Sequence, residues 1–178
     1  MTISETPPAF ELPAELLSQG YRLRPEADED TPFLMALYAS TREAELAPIT
    51  DWSTEQKQAF LAQQFGAQRH HYRTVLNGCV FDVIEHDGSP IGRLYLEERV
   101  TQVHIVDIAL MPEWCGKGVG SLILNALIEV ALARGKGVGI FVERYNPALR
   151  LYRRLGFTEI CDTDVYLEME RVAETSVS

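Results

Sequence analysis

The chain has 178 residues, of which 46% are hydrophobic and 24% charged, as expected of one globular domain with a hydrophobic core. Its net charge of −10 disfavours nucleic acid as a partner. The sequence has no long apolar run and no positively charged start before one, so it predicts neither a membrane span nor a secretory signal. The three cysteines are isolated from one another, which argues against disulfides and zinc knuckles and indicates a reducing cytoplasm.

The periodicity of hydrophobic residues changes along the chain. It predicts an arm followed by helices, then strands with alternating hydrophobic and polar residues, and finally helices interleaved with strands. Residues 1–19 contain three prolines and no clear period, so we interpret them as an N-terminal arm with at most a short helix. Ser53 and Gln56 have the spacing of a capping box, and Asp87-Gly88 is a hairpin turn signal. The predicted elements are a strand at 21–24, helices at 31–41 and 53–72, strands at 80–85, 91–99 and 102–111, a helix at 119–133, a strand at 138–142, a helix at 147–155, and strands at 157–160 and 165–170.

This order predicts an α/β fold with a single domain over residues 20–171 and a short tail at 172–178. Residues 80–111 predict an antiparallel meander of three strands. Residues 138–142 are apolar without alternation, which is typical of a strand buried on both faces. We therefore expect one mixed sheet with helices on both faces.

The segment Met111-Pro112-Glu113-Trp114-Cys115-Gly116-Lys117-Gly118-Val119-Gly120-Ser121 joins a strand to a helix through three glycines. Glycine lets the backbone approach a ligand without an intervening Cβ, and the first N–H groups of a helix attract anions. The spacing of the glycine and lysine residues matches neither a Walker loop nor a Rossmann fingerprint. The pattern favours a phosphate or pyrophosphate ligand, and a tight turn without a ligand is the alternative.

The charge distribution also indicates an anionic ligand in this region. Seven basic and three acidic residues lie between Glu113 and Phe157, whereas the rest of the chain is strongly acidic. Solvated helix faces are the alternative explanation for such a basic segment.

Two motifs together resemble a known family. The run from Ile108-Ala109-Leu110-Met111-Pro112 through Gly116-Lys117-Gly118-Val119-Gly120 resembles the pyrophosphate loop of the GNAT superfamily of acyl-CoA-dependent N-acetyltransferases. Asn146-Pro147-Ala148-Leu149-Arg150-Leu151-Tyr152-Arg153-Arg154-Leu155-Gly156-Phe157 resembles the second half of that signature. The motifs occur in order, with a helix and a strand between them, and the resemblance covers residues 80–169.

The resemblance implies that two parallel central strands splay apart, with acetyl-CoA as co-substrate in the opening and no metal. Ile108, Ala109 and Leu110 would pair with pantetheine through their backbone, and Asn146 would bind the pantetheine or the end of the splayed strand. The residues that would cradle the pyrophosphate are Gly116, Lys117, Gly118, Val119, Gly120 and Ser121. The cations that would meet the adenosine 3′-phosphate are Lys117, Arg150 and Arg153.

Cys115 departs from the family pattern, which usually has Arg or Gln two residues before the Lys-Gly of the loop. Because the family's phosphate contacts are mainly backbone N–H groups, we expect coenzyme binding to survive this difference. Cys115 is either a reactive thiol near a helix N-terminus or an inert packing residue.

Direct acyl transfer requires a free amine and a proton for the departing thiolate. The resemblance implies that Tyr152 donates this proton; a packing tyrosine is the alternative. His104 is the first choice for the base, since an unperturbed imidazole titrates near neutral pH and since it would share a strand face with Leu110 if no bulge intervenes. A structural histidine is the alternative there. Asp107, expected on the opposite face, is the second choice for the base, and Glu143 is the third.

The expected function is transfer of an acetyl (acyl) group from acetyl-CoA to a primary amine of a small molecule or peptide by direct attack. The alternative is a catalytically inactive acyl-CoA-binding sensor or interaction module. We expect a monomer or homodimer in the cytoplasm, with no nucleic-acid or membrane partner. Acidic residues in the regions that the resemblance assigns to the acceptor would attract a cationic amine or simply serve solubility. These residues are 26–30, Glu43, Glu45, Asp51, Asp162 and Asp164.

Overall fold

The sheet grows from the antiparallel meander that residues 79–110 form. The computed structural model describes residues 10–76 and 78–173, so the first nine residues of the predicted arm, Asn77 and the end of the predicted tail lie outside it. In chain order the elements are α1 (Ala14–Ser18), β1 (Tyr21–Pro25), α2 (Thr31–Leu46), α3 (Thr54–Val75), β2 (Cys79–His86), β3 (Ser89–Glu98), β4 (Gln102–Leu110), α4 (Val119–Ala133), β5 (Gly137–Glu143), α5 (Leu149–Arg154), β6 (Thr158–Asp162) and β7 (Tyr166–Arg171).

The described strands form one seven-stranded sheet in the order β1-β2-β3-β4-β5-β7-β6. β4 and β5 are parallel neighbours, and every other neighbouring pair is antiparallel. Asp87 and Gly88 both have positive φ, at 49° and 81°, as a type I′ hairpin between β2 and β3 requires. The predicted mixed α/β sheet is confirmed.

Helices cover both faces of the sheet. The larger core lies on the face that carries Leu94 and Leu96 of β3, and it includes α4 and buried residues of α5. The opposite face carries Tyr95, which packs edge-to-face against Tyr72 of α3, and a smaller cluster joins α2 to α3 there. The described part of the predicted arm contains the short helix α1, whose Leu16 is buried in the larger core.

Two elements differ from their sequence-based predictions. α2 continues one turn beyond the predicted end, because the hydroxyls of Ser40 and Thr41 bond back to carbonyls three residues earlier and do not interrupt the helix. The prediction that residues 138–142 are buried on both faces is wrong at Phe141, whose surface is 48% exposed. In the described part of the chain, no helix is long and apolar enough to cross a membrane.

Two glycines of the central strands allow a stability test. A Cβ at Gly92 would lie 2.3 Å from the Ala109 carbonyl oxygen on β4, a backbone atom that cannot move away without disturbing the sheet. A Cβ at Gly139 would meet only the flexible Gln102 side chain, at 2.4 Å. We expect Gly92→Ala to lower the free energy of unfolding by about 2 kcal/mol, in the range of overpacked cores, and Gly139→Ala by less than half of that. Urea unfolding of both variants measures the difference, and equal losses would contradict the assigned β3–β4 contact.

Candidate active site

A cleft opens where the two parallel central strands stop pairing. β4 and β5 pair at four positions, from Gln102 opposite Gly137 to Ile105 opposite Ile140. Beyond that point β4 continues along β3 and β5 continues along β7, so the two strands diverge around an open cleft of about 610 Å³. The sequence-predicted residues that line the cleft are His104, Asp107, Ile108, Ala109, Glu143, Asn146 and Tyr152. The strand edges that face the gap leave backbone N–H and C=O groups free to pair with an amide-containing ligand.

A β-bulge in β4 determines which side chains face the cleft. Asp107 lies opposite Tyr95 and Ile105 lies opposite Leu96, so Val106 is an extra residue without a partner on β3. The bulge reverses the alternation after His104. The prediction that Asp107 points to the opposite face from His104 is therefore wrong, because both lie on the face that carries Tyr95.

The glycine loop leads from β4 into α4. Gly116 and Gly118 have φ of +73° and +82°, a region in which a side chain causes strain. An ideal Cβ at either glycine would meet nothing within 4 Å, so the loop backbone faces open space. No side chain caps α4, and its first N–H groups, from Val119 onward, have no intrahelical acceptors. The helix dipole and these N–H groups would attract an anion to the space in front of the loop.

The cations near the loop differ in their surroundings. The Lys117 ammonium lies 5.6 Å from the centre of the Trp114 ring, at cation–π distance. Arg150 is exposed on α5. Arg153 donates to Glu159 at 2.6 Å, so its charge is already partly matched. These three residues and the loop are not among those that line the cleft.

Cys115 is exposed in the turn before the loop, four residues ahead of α4. Its thiol lies 3.5 Å from the Met111 carbonyl oxygen and 3.6 Å from that of Leu110. The side chain thus makes weak hydrogen bonds to the end of β4, outside the first turn of the helix.

Tyr152 approaches the cleft from the larger core. The Asn146 Oδ1 accepts the Ala148 N–H at 2.9 Å, and this turn begins the chain segment that forms α5. The Tyr152 ring is buried and packs edge-to-face on Phe157, with centroids 5.6 Å apart. Burial, together with the nearby Asp107 carboxylate, holds the pKa of the Tyr152 hydroxyl well above its usual range. Tyr152 therefore keeps its proton at neutral pH.

His104 lies across the cleft on β4 and is only 6% exposed. Its ring packs edge-to-face on Phe141, with centroids 5.0 Å apart. Burial, with a smaller contribution from Arg99, lowers the pKa of His104 to about 4. The imidazole is therefore neutral in the neutral pH range, which differs from the pKa near 6 to 7 that an unperturbed histidine would have.

Asp107 is fixed by a buried arginine. The Arg93 Nη2 donates to Asp107 at 2.5 Å and to the Gln68 Oε1 at 3.1 Å, and the guanidinium stacks over the Tyr95 ring at 4.9 Å. Sequence reasoning missed Arg93 and Gln68. A charged residue in the apolar strand run Ile91-Gly92-Arg93-Leu94-Tyr95-Leu96 was the available signal for Arg93.

The predicted acidic rim is only partly present. The Glu26 carboxylate is 1% exposed and accepts hydrogen bonds from Arg69, Arg73 and the Tyr95 hydroxyl. Asp30 is likewise paired with Arg24. Glu26 and Asp30 are thus engaged in ion pairs within the protein, Glu26 with α3 and Asp30 at the start of α2. They do not contribute to an acidic rim that could attract a cationic amine.

The wall of the cleft opposite β4 comes from α2 and α3. Tyr38, Arg42 and Glu45 project from α2, and His71 and Tyr72 from α3. His71 lies within α3, which continues to Val75, and its side chain contributes to the cleft wall.

Three comparisons with known proteins agree with this geometry. A model of the Acetyltransferase (GNAT) family matches residues 34–157. An uncharacterized N-acetyltransferase of Methanocaldococcus jannaschii is 34% identical over 90 residues, which are 44% of this chain and 39% of that protein. The chain thus spans about two-fifths of the length of that curated relative.

Solved structures share the fold at low sequence identity. The PaiA N-acetyltransferase from Thermoplasma acidophilum, in complex with coenzyme A, has a TM-score of 0.64 at 18% identity, over 85% of this chain and 98% of that one. The ribosomal-protein-S18-alanine N-acetyltransferase from Escherichia coli has a TM-score of 0.53 at 19% identity, over 88% of this chain and 96% of that one. Because the family model spans more than half of the residues and the splayed strands and glycine loop are in place, the chain belongs to the Acetyltransferase (GNAT) family.

Proposed function

We propose that the protein transfers an acetyl group from acetyl-CoA to a primary amine by direct attack. The observation that carries the proposal is the cleft between β4 and β5, which has an anion site beyond one strand and a protonated Tyr152 at its side. Release of free thiol from acetyl-CoA in the presence of a panel of amines tests it. Absence of release with every amine, despite coenzyme binding, would favour the acyl-CoA-binding module.

The residues present fit coenzyme A. Phosphates suit the open backbone of Gly116 and Gly118 and the free N–H groups at the start of α4. The pantetheine amides suit the strand edge of residues 108–110, as in a sheet that gains a strand. Lys117, Arg150 and Arg153 are our proposed contacts to the 3′-phosphate. When bound, acetyl-CoA supplies an acetyl thioester at the cleft.

Tyr152 is the proposed proton donor to the departing thiolate. Its hydroxyl is uncharged at neutral pH because burial and the Asp107 carboxylate both disfavour the phenolate. Its ring is held by Phe157, so the direction of the hydroxyl is fixed. Its place on the cleft, where the thiolate would depart, favours the enzyme over a binding module.

His104 is the proposed acceptor of the amine proton. Its neutral ring lines the cleft on the same strand face as Asp107, which the bulge places beside it. Asp107 remains the second choice, with its carboxylate oriented by Arg93. Both groups can receive the proton directly or through water.

Substitution of Gly118 tests the loop. A non-glycine residue at its positive φ costs about 1–2 kcal/mol, and a β-branched side chain would also fill the space in front of the helix. We expect Gly118→Val to weaken acetyl-CoA binding by more than about tenfold, or about 1.4 kcal/mol, and Cys115→Ala to leave it nearly unchanged. Calorimetric titration measures both.

Gly135→Val is the matched control for this experiment, because Gly135 has a similar φ of +71° but lies in the turn after α4, at the other end of that helix. It should reduce stability without reducing affinity for acetyl-CoA. Equal losses of affinity in the Gly118 and Gly135 variants would argue against the loop as the phosphate site.

Replacement of Tyr152 by Phe removes the proton donor and keeps the ring on Phe157. We expect kcat to fall about 10²-fold, as is usual for a lost general acid, while the Kd for acetyl-CoA stays within about twofold. Tyr145→Phe, at a tyrosine that is 95% exposed near the end of β5, is the control. An unchanged kcat in Tyr152→Phe at saturating substrates removes Tyr152 from the mechanism.

The pH dependence of kcat/KM tests the base. Because the pKa of His104 is lowered to about 4, the ring is already neutral above pH 6, and no limb from His104 is expected between pH 6 and 8. The rise of kcat/KM between pH 6 and 8 should instead follow deprotonation of the acceptor amine. The pH at which it occurs should therefore differ between two amines of different basicity.

His104→Gln should then lower kcat/KM by about tenfold, by the same factor at each pH from 6 to 8, without moving the limb. Full activity of His104→Gln together with a large loss in Asp107→Asn would assign the role to Asp107.

A further inference from the structure

Tyr72 of α3 lines the cleft on the wall opposite β4. Its hydroxyl makes no hydrogen bond among the described residues and is not one of their buried polar atoms without a partner, so solvent reaches it. Burial of the ring, with a smaller contribution from the Asp107 carboxylate, raises the pKa of Tyr72 to about 12. Tyr72 therefore stays protonated at neutral pH, and its oxygen has lone pairs that can accept a hydrogen bond.

The neighbours of Tyr72 place its hydroxyl at the reacting end of the cleft. The Asp107 carboxylate contributes to the raised pKa of both Tyr72 and Tyr152, so a hydroxyl from α3 and one from α5 lie near the same carboxylate. Arg42 and Tyr166, which also act on the pKa of Tyr72, line the cleft as well, so its hydroxyl points into the cleft. An amine that attacks a thioester beside Tyr152 is therefore within reach of Tyr72.

Contacts between α3 and the sheet fix the ring of Tyr72. The ring packs edge-to-face against Tyr95, with centroids 6.0 Å apart and planes at 88°. The Tyr95 hydroxyl donates to Glu26. Glu26 in turn is bound by Arg69 and Arg73, which flank Tyr72 on α3. A hydrogen-bond acceptor held in this way selects the direction of an approaching donor as well as its presence.

The other hydroxyl groups on this side of the cleft are less suited to hold an amine. The Thr41 Oγ1 donates to the Tyr38 carbonyl oxygen at 2.7 Å. The Tyr38 ring is itself buried, and the Arg42 guanidinium lies over it at 5.4 Å. Tyr166 is 44% exposed, so its hydroxyl has more freedom of orientation. Tyr72 combines a fixed ring with a hydroxyl that is open to the cleft.

A primary amine has two N–H bonds and loses one of them in the proposed reaction. The nitrogen bonds to the carbonyl carbon and the C–S bond breaks. The departing thiolate takes a proton from Tyr152, and one amine proton passes to the base, His104 or Asp107. The second N–H remains on the product amide. A secondary amine has a single N–H, which it loses, so it has none left to donate to another acceptor.

We infer that the Tyr72 hydroxyl accepts the N–H that the amine keeps, and that it thereby selects primary over secondary amines. This inference rests on the proposed function and names a specificity-determining residue for it. A site that hydrogen-bonds an N–H of its substrate discriminates against an analogue without that N–H, because a polar group of the site is then left unpaired. The nitrogen becomes positively charged as it attacks, so the hydrogen bond is stronger in the transition state than in the ground state.

The test compares benzylamine with N-methylbenzylamine, and any better primary amine of the panel with its own N-methyl derivative. We expect Tyr72→Phe to lower kcat/KM about tenfold for the primary amine and less than twofold for the secondary amine. The phenyl ring keeps its contact with Tyr95, so the Kd for acetyl-CoA and the Tm should stay unchanged. For a secondary amine that is not acetylated, the Kd values of both amines for the complex with coenzyme A give the same comparison.

Further variants separate the hydroxyl from the packing of the ring. Tyr72→Leu should lower the Tm and show the same loss of selection as Tyr72→Phe. Tyr145→Phe, at an exposed tyrosine that does not line the cleft, should keep the ratio of the two kcat/KM values. Equal losses for both amines in Tyr72→Phe, or a changed ratio in Tyr166→Phe instead, would overturn the inference and leave the proposed function in place. Absence of acetyl transfer to every amine would contradict the proposed function itself.

Discussion

The structure depends on the point at which β4 and β5 stop pairing. Up to Ile105 and Ile140 the sheet is continuous, and beyond them each strand keeps only one neighbour. Unpaired backbone groups are tolerated where water or a ligand can reach them, so the divergence creates a cleft with two polar edges. The helix that follows β4 starts at the same end of the cleft. A Cβ at Gly120 would lie 3.7 Å from the Leu151 side chain and 3.9 Å from that of Leu110, so the start of α4 is close to both β4 and α5. The strand edge, the glycine loop and α5 are thereby held in one arrangement.

The sequence predicted the parts of this arrangement that local chemistry specifies. The tight turn of the glycine loop, the start of α4 at Val119 and the turn at Asp87-Gly88 each follow from residues next to one another in the chain. Tyr152 and Asn146 were found through a motif, and both line the cleft.

The parts that were missed depend on pairing between distant strands. The bulge at Val106 arises from the register between β3 and β4, and nothing in the alternation of residues 102–111 distinguishes it from a regular strand. It moves Asp107 to the face of His104. The exposure of Phe141 has a similar origin, since it depends on which strands α2 and α3 cover. Composition could not separate the buried Glu26 from carboxylates on the surface, because its partners Arg69 and Arg73 lie on another helix.

Ion pairs divide the acidic residues of the chain into two groups with different roles. Glu26 and Asp30 are held by arginines, and the Tyr95 hydroxyl, whose pKa burial raises, remains a donor to Glu26. Asp107 is likewise held by Arg93. Removing one member of such a pair leaves a buried charge without a partner, so these contacts maintain the position of α3 against the meander. Glu168 and Glu170 of β7, which are half-exposed, make no ion pair among the described residues and so hold no such contact in place.

The two faces of the sheet also differ in how firmly they are packed. The larger core joins α1, α4 and α5 to the sheet and fixes Tyr152 and the glycine loop. The buried cluster under α2 and α3 is small, with Leu34, Tyr38 and Phe65 at its centre. Segments with less buried apolar surface open at lower free energy, so the wall formed by α2 and α3 is the more adaptable side of the cleft. In the proposed function, the side with the glycine loop would hold acetyl-CoA in one position, whereas the side of α2 and α3 would admit the amine and release the acetylated product.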